Sequence, residues 1–275
     1  MWIDTHCHLD AHEFGARALD VADDARSQGV GMIVIPAIDR GNLDTVAQLA
    51  AQRDNTCYAL GIHPICVPNA AEDDLAVLRA KVEAAMADPR FIGIGEIGLD
   101  FFIPLLNEAA MRDKQILFFR EQLRIARDFG LPVLTHVRKS QDQVLKHVRQ
   151  ITPNGGIAHA FNGSFQQAQG YIDAGFKLGF GGNLTFTRAL QIRRLATELP
   201  LSAIVMETDA PDIAPAWVHP GVNTPDQVPR IGAVLAQLRG IPVDDVREVT
   251  TANACAILPR MAGLPGAASG ASCNK

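Results

Sequence analysis

Eight short apolar segments alternate with longer amphipathic segments along this chain, and this alternation restricts the possible folds more than any other feature. The apolar segments are predicted to be buried strands at residues 2–6, 31–36, 57–61, 91–95, 132–136, 156–159, 177–180 and 203–207. Helical periodicity follows at residues 16–27, 43–53, 75–86, 111–128, 141–149, 165–174 and 190–199, and then at 225–238 and 243–257. Strands that each lead into a helix form parallel sheets, so the pattern predicts an α/β fold, a (β/α)8 TIM barrel. A doubly wound open sheet is the main alternative.

The composition is that of a globular protein with a sizeable core. The chain has 275 residues, of which 48% are hydrophobic, and we expect one barrel domain over residues 1–262 with a flexible tail at 263–275. No apolar run reaches about 18 residues, so no membrane span is expected, and neither is a signal peptide. The five cysteines lack the spacing of a disulfide framework or a zinc site. This pattern favours a reducing, cytoplasmic location.

The charge balance limits how the chain can meet nucleic acid. The net charge is −5 and the pI is about 5.9, whereas a protein that wraps a long duplex usually carries a broad basic face. Any contact with nucleic acid should therefore be local, or carried partly by bound metal.

Residues that can ligate metal collect at the predicted strand ends, where barrels of this type place their chemistry. The first strand leads into His6-Cys7-His8. Residues i and i+2 of a strand point to the same face, so both imidazoles can reach one ion. The later strand ends supply further candidates, namely His63, Glu96, Asp100, His136, Arg138, His159 and Asp209.

Four histidines and two carboxylates form the predicted ligand set: His6, His8, Glu96, His136, His159 and Asp209. Six ligands exceed what one catalytic zinc needs, so we predict two divalent ions per subunit, with zinc, manganese, magnesium, nickel or iron as candidates. Glu96 is the expected bridge. We assign His6 and His8 to one ion with Glu96 and Asp209, and His136 and His159 to the other. For His63, a role facing the substrate and a role in the loop both stay open, and Asp100 is favoured as a loop cap.

Motifs along the chain to about residue 258 resemble those of the TatD family of metal-dependent hydrolases, in its YjjV-like branch. They are DTHCHLD at 4–10, GIHP at 61–64, GIGEIGLD at 93–100, LPVLTHVR at 131–138, HAFNGS at 159–164, ETDAP at 207–211 and TTAN at 250–253. The resemblance implies a TIM-barrel metallohydrolase and a deoxyribonuclease with exonuclease action on single-stranded DNA. It implies metal ligation by the same six residues, and substrate contacts for His63 and Arg138.

These residues suggest metal-assisted phosphodiester hydrolysis, in which the bound ions activate water and polarise the phosphoryl oxygen. We expect Asp209 to act as general base, Glu96 to fix the spacing of the ions, and Arg138 to bind a phosphate oxygen. Three aromatic residues can stack a terminal base, although a core role is favoured for each: Phe102, Phe161 and Phe186. A small basic rim is possible at Lys139, Arg188, Arg193 and Arg194, although solvated helix charges are the favoured interpretation.

Two other classes of function stay open at this point. The same ligand set can hydrolyse other esters, lactones or amides, including an aminoacyl ester on tRNA, and a metal-binding protein without catalysis is the third hypothesis. DNA or another phosphodiester is the expected partner. No membrane and no obligate protein partner are inferred, and a monomer is expected.

Overall fold

The computed structural model describes residues 1–267 and confirms the barrel. Its eight strands pair in parallel in the order β1 to β8. Thr5 donates its backbone N–H to Met206 O (3.0 Å), which joins the chain after β1 to β8 and excludes the open sheet. The strands are β1 Trp2–Asp4, β2 Val30–Pro36, β3 Thr56–Leu60, β4 Phe91–Asp100, β5 Val133–Arg138, β6 Gly156–Ala158, β7 Phe176–Phe180 and β8 Ile204–Met206.

Helices surround the barrel, as the amphipathic segments predicted. They are α1 Ala18–Ser27, α2 Leu43–Ala50, α3 Asp73–Ala85, α4 Ala109–Asp128, α5 Gln141–Ile151, α6 Phe165–Asp173, α7 Leu190–Glu198, α8 Val228–Arg239 and α9 Val243–Ile257. No described helix is both long and apolar enough to cross a bilayer.

The apolar core has two parts, because successive strand residues point to opposite faces. On β2, Met32 and Val34 belong to one buried cluster, whereas Ile33 and Ile35 belong to another. The first cluster draws residues from most strands and is completed by Leu258 at the end of α9 and by residues that follow it. The metal-ligand candidates lie elsewhere, towards the carboxyl ends of the strands.

The segment predicted as a flexible tail begins with residues that pack on the barrel. Leu264 is buried and joins the cluster that includes Met32 and Leu258. The remainder of that predicted segment, from residue 268, lies outside the described residues.

Four strands end earlier than predicted, and two of them, β1 and β8, end shortly before metal-ligand candidates. β1 ends at Asp4 and β8 at Met206. The Asp4 carboxylate accepts the backbone N–H groups of His6 (3.2 Å) and Thr208 (3.0 Å). The Asp4 side chain therefore accepts hydrogen bonds that a neighbouring strand would otherwise accept, and it connects the ends of β1 and β8.

Candidate metal centre

His6 and His8 converge as their spacing predicted. Their Nε2 atoms lie 3.3 Å apart. The Glu96 Oε2 atom is 3.1 Å from the first nitrogen and 3.4 Å from the second. His6 is almost fully buried, whereas His8 is 19% exposed on the solvent side. The pair thus forms one wall of a cluster of ligand atoms centred on Glu96.

Glu96 turns its two oxygens towards different histidines. While Oε2 faces His6 and His8, Oε1 lies 3.2 Å from His136 Nδ1 and 3.4 Å from His63 Nε2. Glycines make room for this carboxylate and its strand. A Cβ atom on Gly61 would lie 2.8 Å from the backbone carbon of Gly95, closer than packed atoms allow.

His159 and Asp209 complete the side of the cluster that contains His6. The imidazole of His159 stacks on that of His6 with 3.7 Å between ring centroids, and its Nε2 lies 3.4 Å from Asp209 Oδ2. The other Asp209 oxygen is 3.8 Å from His6 Nε2 and 3.7 Å from His8 Nε2. Asp209 has a left-handed backbone (φ 58°), a conformation that Asp and Asn tolerate better than most residues.

The predicted division of the histidines between two ions stays a prediction, because His6 and Glu96 each belong to two sets of neighbouring ligand atoms. Three sets of ligand atoms lie within 4.8 Å of one another: His6/His8/Asp209, His6/Glu96/His159 and His63/Glu96/His136. In none of these sets from the described residues do His136 and His159 occur together. The structure places His159 beside His6, and His136 beside His63.

Two carboxylates outside the predicted ligand set hold the outer nitrogens of histidines. Asp100 Oδ2 lies 3.1 Å from His136 Nε2, and Glu207 Oε1 lies 3.0 Å from His159 Nδ1. The favoured role of Asp100 as a loop cap is also confirmed, because its other oxygen accepts the backbone N–H groups of Phe102 (2.8 Å) and Ile103 (3.1 Å). His136 and His159 therefore each have one nitrogen turned to the cluster and one to a carboxylate outside it.

The cluster favours an ionised Glu96 beside protonated His136 and His159. Burial favours a neutral Glu96, but the neighbouring histidines His63, His6 and His136 outweigh burial and hold its pKa well below the usual range. Burial opposes charge on His136, yet Asp100 and Glu96 raise its pKa to about 9. For His159, the effect of burial is outweighed by Glu207 and Asp209, which raise its pKa well above normal.

Comparison with known proteins establishes the family. The model of the TatD related DNase family matches residues 3–259. The chain belongs to the TatD family. A metal-dependent hydrolase of Haemophilus influenzae is 35% identical over 260 residues, which are 93% of this chain and 98% of that protein. YjjV of Escherichia coli, also named a metal-dependent hydrolase, is 34% identical over 92% of this chain and 95% of its own.

A solved structure and a human relative agree with this family. The crystal structure of Escherichia coli YjjV matches with a TM-score of 0.88, covering 94% of this chain and 98% of that one. Human deoxyribonuclease TATDN3 is 28% identical over 95% of this chain and 96% of its own. The protein is thus a metal-dependent hydrolase with the barrel of the TatD family.

The ligand atoms fit a divalent ion. Donors about 2.1 Å from a tetrahedral ion are separated by about 3.4 Å. The His6 and His8 nitrogens and their nearest oxygens of Glu96 and Asp209 are 3.1 to 3.8 Å apart. Imidazole nitrogen with carboxylate oxygen suits zinc, iron, nickel or manganese. This donor chemistry matches the hydrolase family.

The two predicted substrate contacts lie at different depths. His63 is buried, and its Nδ1 accepts the backbone N–H of Ile65 (3.0 Å), which leaves Nε2 facing Glu96. Arg138 is half exposed, 3.8 Å from Asp100 Oδ2. Sequence reasoning left the role of His63 open, although its place after β3 resembles that of the predicted ligands.

Sequence reasoning missed Asp4 and Glu207 as functional residues. Both are buried, and burial raises the pKa of Asp4 to about 8. The available signal was a carboxyl group beside a predicted ligand motif, in Asp4-Thr5-His6 and Glu207-Thr208-Asp209. That signal does not show which carboxylate faces the ions and which supports a ligand.

The aromatic and basic candidates differ in burial and in their contacts. Phe161 is buried, which confirms the favoured core role, whereas Phe102 is 48% exposed and the core prediction for it is wrong. Arg194 pairs with Glu198 (2.9 Å), as a solvated helix charge would. Arg193 donates to the backbone carbonyl of Leu184, while Arg188 and Lys139 lie against aromatic rings.

Proposed function

We propose that this protein is a deoxyribonuclease that hydrolyses phosphodiester bonds of single-stranded DNA from an end, with a binuclear metal centre. The observation that supports this most directly is the orientation of Glu96, whose two oxygens face different histidines. A carboxylate in this orientation can bridge two ions. Two ions about 3.5–4 Å apart are a recurring arrangement in nucleases and phosphatases.

The six predicted ligands and His63 would hold the ions. Divalent ions bound there would supply Lewis-acid polarisation of a phosphoryl oxygen and a lower pKa for the attacking water. Asp100 and Glu207 fix the rings of His136 and His159, so little rearrangement is needed when an ion binds. The chain contributes a preorganised set of donors at the open end of the barrel.

Asp209 is the proposed general base. Despite its burial, the neighbouring His159, His6 and His8 lower its pKa to about 2, so it is ionised at neutral pH. It is 17% exposed, so one of its oxygens can receive a proton from an attacking water while the carboxylate remains part of the ligand cluster. Glu96, which is 2% exposed, holds the spacing of the centre.

Arg138 is the proposed phosphate ligand. Its guanidinium lies 4.0 Å from the centre of the exposed Phe102 ring, and the ammonium of Lys139 lies 4.8 Å from the same ring. These two cations stand beside the cluster at the end of β5. They supply local positive charge to an acidic protein, and an aromatic surface on which an unpaired base can stack.

The test is digestion of end-labelled single-stranded DNA by metal-loaded protein beside an Asp209→Asn variant. Asn suits the left-handed backbone at this position, and it removes the charge and one acceptor oxygen while keeping the size of the side chain. We expect stepwise release of nucleotides by the wild type and a loss of at least about 100-fold in the variant. Equal release by both proteins would assign the activity to a contaminant. Cleavage of aminoacyl esters or lactones by the wild type, without cleavage of DNA, would replace the proposal with the other ester hydrolase.

Location and assembly belong to the same proposal. The four described cysteines are free, which supports a reducing, cytoplasmic compartment. We propose a monomer without an obligate protein partner, because the ligand cluster is assembled from a single chain.

A further inference from the structure

A second polar and aromatic site lies beside the metal centre, over the chain segments that follow β7 and β8. It is a cavity of about 510 Å³ lined by Asn183, Phe186, Arg188, Ala189, Ile213, Ala214 and His219. That volume lies within the range of roughly 300–1,000 Å³ that is typical of small-molecule sites. None of its seven lining residues is a carboxylate, so the cavity favours an anionic or neutral occupant.

The cavity leads towards the catalytic residues. A smaller cavity next to it is lined by Thr208 and Asp209, and it shares Asn183 and Ile213 with the larger one. The larger cavity therefore lies next to the chain segment that carries Asp209.

Two rings and one cation determine what the larger cavity can bind. The rings of Phe186 and His219 meet edge to face, with centroids 5.7 Å apart, and the Arg188 guanidinium is 5.8 Å from the centre of the Phe186 ring. Among the described residues, Arg188 has no carboxylate within ion-pair distance, unlike Arg194 with Glu198. An aromatic face next to an exposed, unpaired guanidinium suits a planar base attached to a phosphate.

Hydrogen bonds stabilise the two chain segments that line the cavity, one after β7 and one after β8. Buried Thr185 donates its hydroxyl to Gly182 O (2.6 Å) and accepts the backbone N–H of Ala216 (2.8 Å). Trp217 donates its indole N–H to Gln227 Oε1 (2.8 Å). The bond between Thr185 and Ala216 joins the segments that carry Phe186 and His219, and the Trp217 bond ties the second segment to the turn before α8. The cavity is therefore formed before a ligand binds.

We propose that this cavity binds one nucleotide unit of the substrate, with the base stacked on Phe186 beside His219 and its phosphate paired with Arg188. The inference rests on the proposed function, since it places the neighbouring phosphodiester at Asp209. A base can stack in this way only when it is unpaired. The cavity would therefore be a source of the preference for single strands.

The test measures binding of fluorescein-labelled dT5 by anisotropy, in the metal-loaded Asp209→Asn chain as parent. Phe186→Leu is expected to weaken binding at least about fivefold, the lower end of the loss of one base–aromatic stack, and Phe186→Trp to restore it. Arg188→Ala should reduce the slope of log affinity against log salt by about 0.7, as expected for one lost phosphate contact. Arg194→Ala removes the same charge from a paired arginine and is the matched control, expected within about twofold of the parent.

The outcomes separate this inference from the proposed function. Binding by Phe186→Leu and Arg188→Ala within twofold of the parent, or a parent that binds no dT5, overturns the subsite even if the wild type digests DNA. Binding that depends on Phe186, in a protein whose wild type cleaves no DNA, supports the subsite and overturns the nuclease. Circular dichroism and metal content of each variant verify that the fold and the centre are intact.

Discussion

Replacing Asp100 with Asn tests whether this carboxylate supports the metal centre as well as its loop. The charge of Asp100 faces His136 Nε2 at 3.1 Å, while its other oxygen accepts two backbone N–H groups. Asn keeps the shape and an acceptor oxygen for the loop but removes the charge. Any loss in the variant therefore reports mainly on the pairing with the histidine.

The magnitude follows from the pKa of the carboxyl group. Burial raises the pKa of Asp100, but His136 and the two N–H donors outweigh burial and lower it from 3.8 to about 2. At 1.36 kcal/mol per pKa unit this is about 2 kcal/mol of stability, of which the charge carries the larger part. Because the folded-state pKa is the lower one, the contribution is complete at neutral pH. It is lost as the pH falls through 3.8 towards 2, with about half remaining near pH 3.

The assay is urea unfolding of metal-free protein at about pH 7 and about pH 3. We expect Asp100→Asn to reduce the free energy of unfolding by about 1–2 kcal/mol at pH 7 and by about half of that at pH 3. The pKa of His136, followed by NMR, should fall from about 9, since Asp100 helps to raise it. Asp128→Asn, which breaks an exposed pair with Arg79, is the matched control and should change stability much less than Asp100→Asn does.

Two results would refute this reasoning. One is an Asp100→Asn protein as stable as the wild type at pH 7, with an unchanged pKa for His136. The other is a loss that stays the same at pH 3, because a structural effect of the amide would not depend on the charge of the acid. Asp100→Ala should be less stable than Asp100→Asn by about 1–3 kcal/mol, since it leaves the buried N–H groups of the loop without an acceptor.

Four further measurements test the centre. Supplemented wild-type protein should hold about two divalent ions per chain by elemental analysis, and fewer than one would contradict the binuclear proposal. Glu207→Gln should weaken metal binding about 10–100-fold, because it removes the charge beside His159. Unchanged affinity in a competition titration would deny Glu207 this role. Gly179→Ala should lower both the metal affinity and the unfolding temperature, because a Cβ atom at this position would overlap the Glu207 carboxylate. A variant as stable as the wild type would contradict that contact. Metal affinity should rise with pH towards about 9, because His136 must lose a proton to bind an ion. The heat of metal binding at neutral pH should therefore depend on the ionisation enthalpy of the buffer, and a heat that does not would disprove this proton release.

The sequence predicted the barrel well because its signal is local. Each strand is a short apolar run followed by helical periodicity, and β2 illustrates the agreement, with Val30–Pro36 in the structure against the predicted 31–36. The ends of β1 and β8 were less predictable. There the Asp4 side chain accepts the backbone N–H groups of His6, which is near in sequence, and of Thr208, which is distant. No local sequence pattern predicts that a side chain replaces strand pairing in this way.

The convergence of the candidate ligands was also predictable, because they lie in the carboxyl-terminal half of a strand or after it, and the barrel brings strand ends together. All six lie in the cluster around Glu96. The distances between these side chains were not predictable from order along the chain. His159 follows β6, yet its ring stacks on His6 after β1, since side chains from opposite parts of a narrow barrel reach its centre. The order of the strands therefore predicts which residues belong to the cluster, but it does not predict the distances between them.

The two supporting carboxylates show how the barrel restricts residues that do not touch the ions. Asp100 and His136 lie on paired strands, with Gly98 opposite His136, so the carboxylate reaches the ring directly. Glu207 follows β8 and His159 follows β6, with β7 between them. Gly179 on β7 leaves the space that the Glu207 carboxylate occupies. A carboxylate that supports a ligand two strands away therefore requires a residue without a side chain on the strand between.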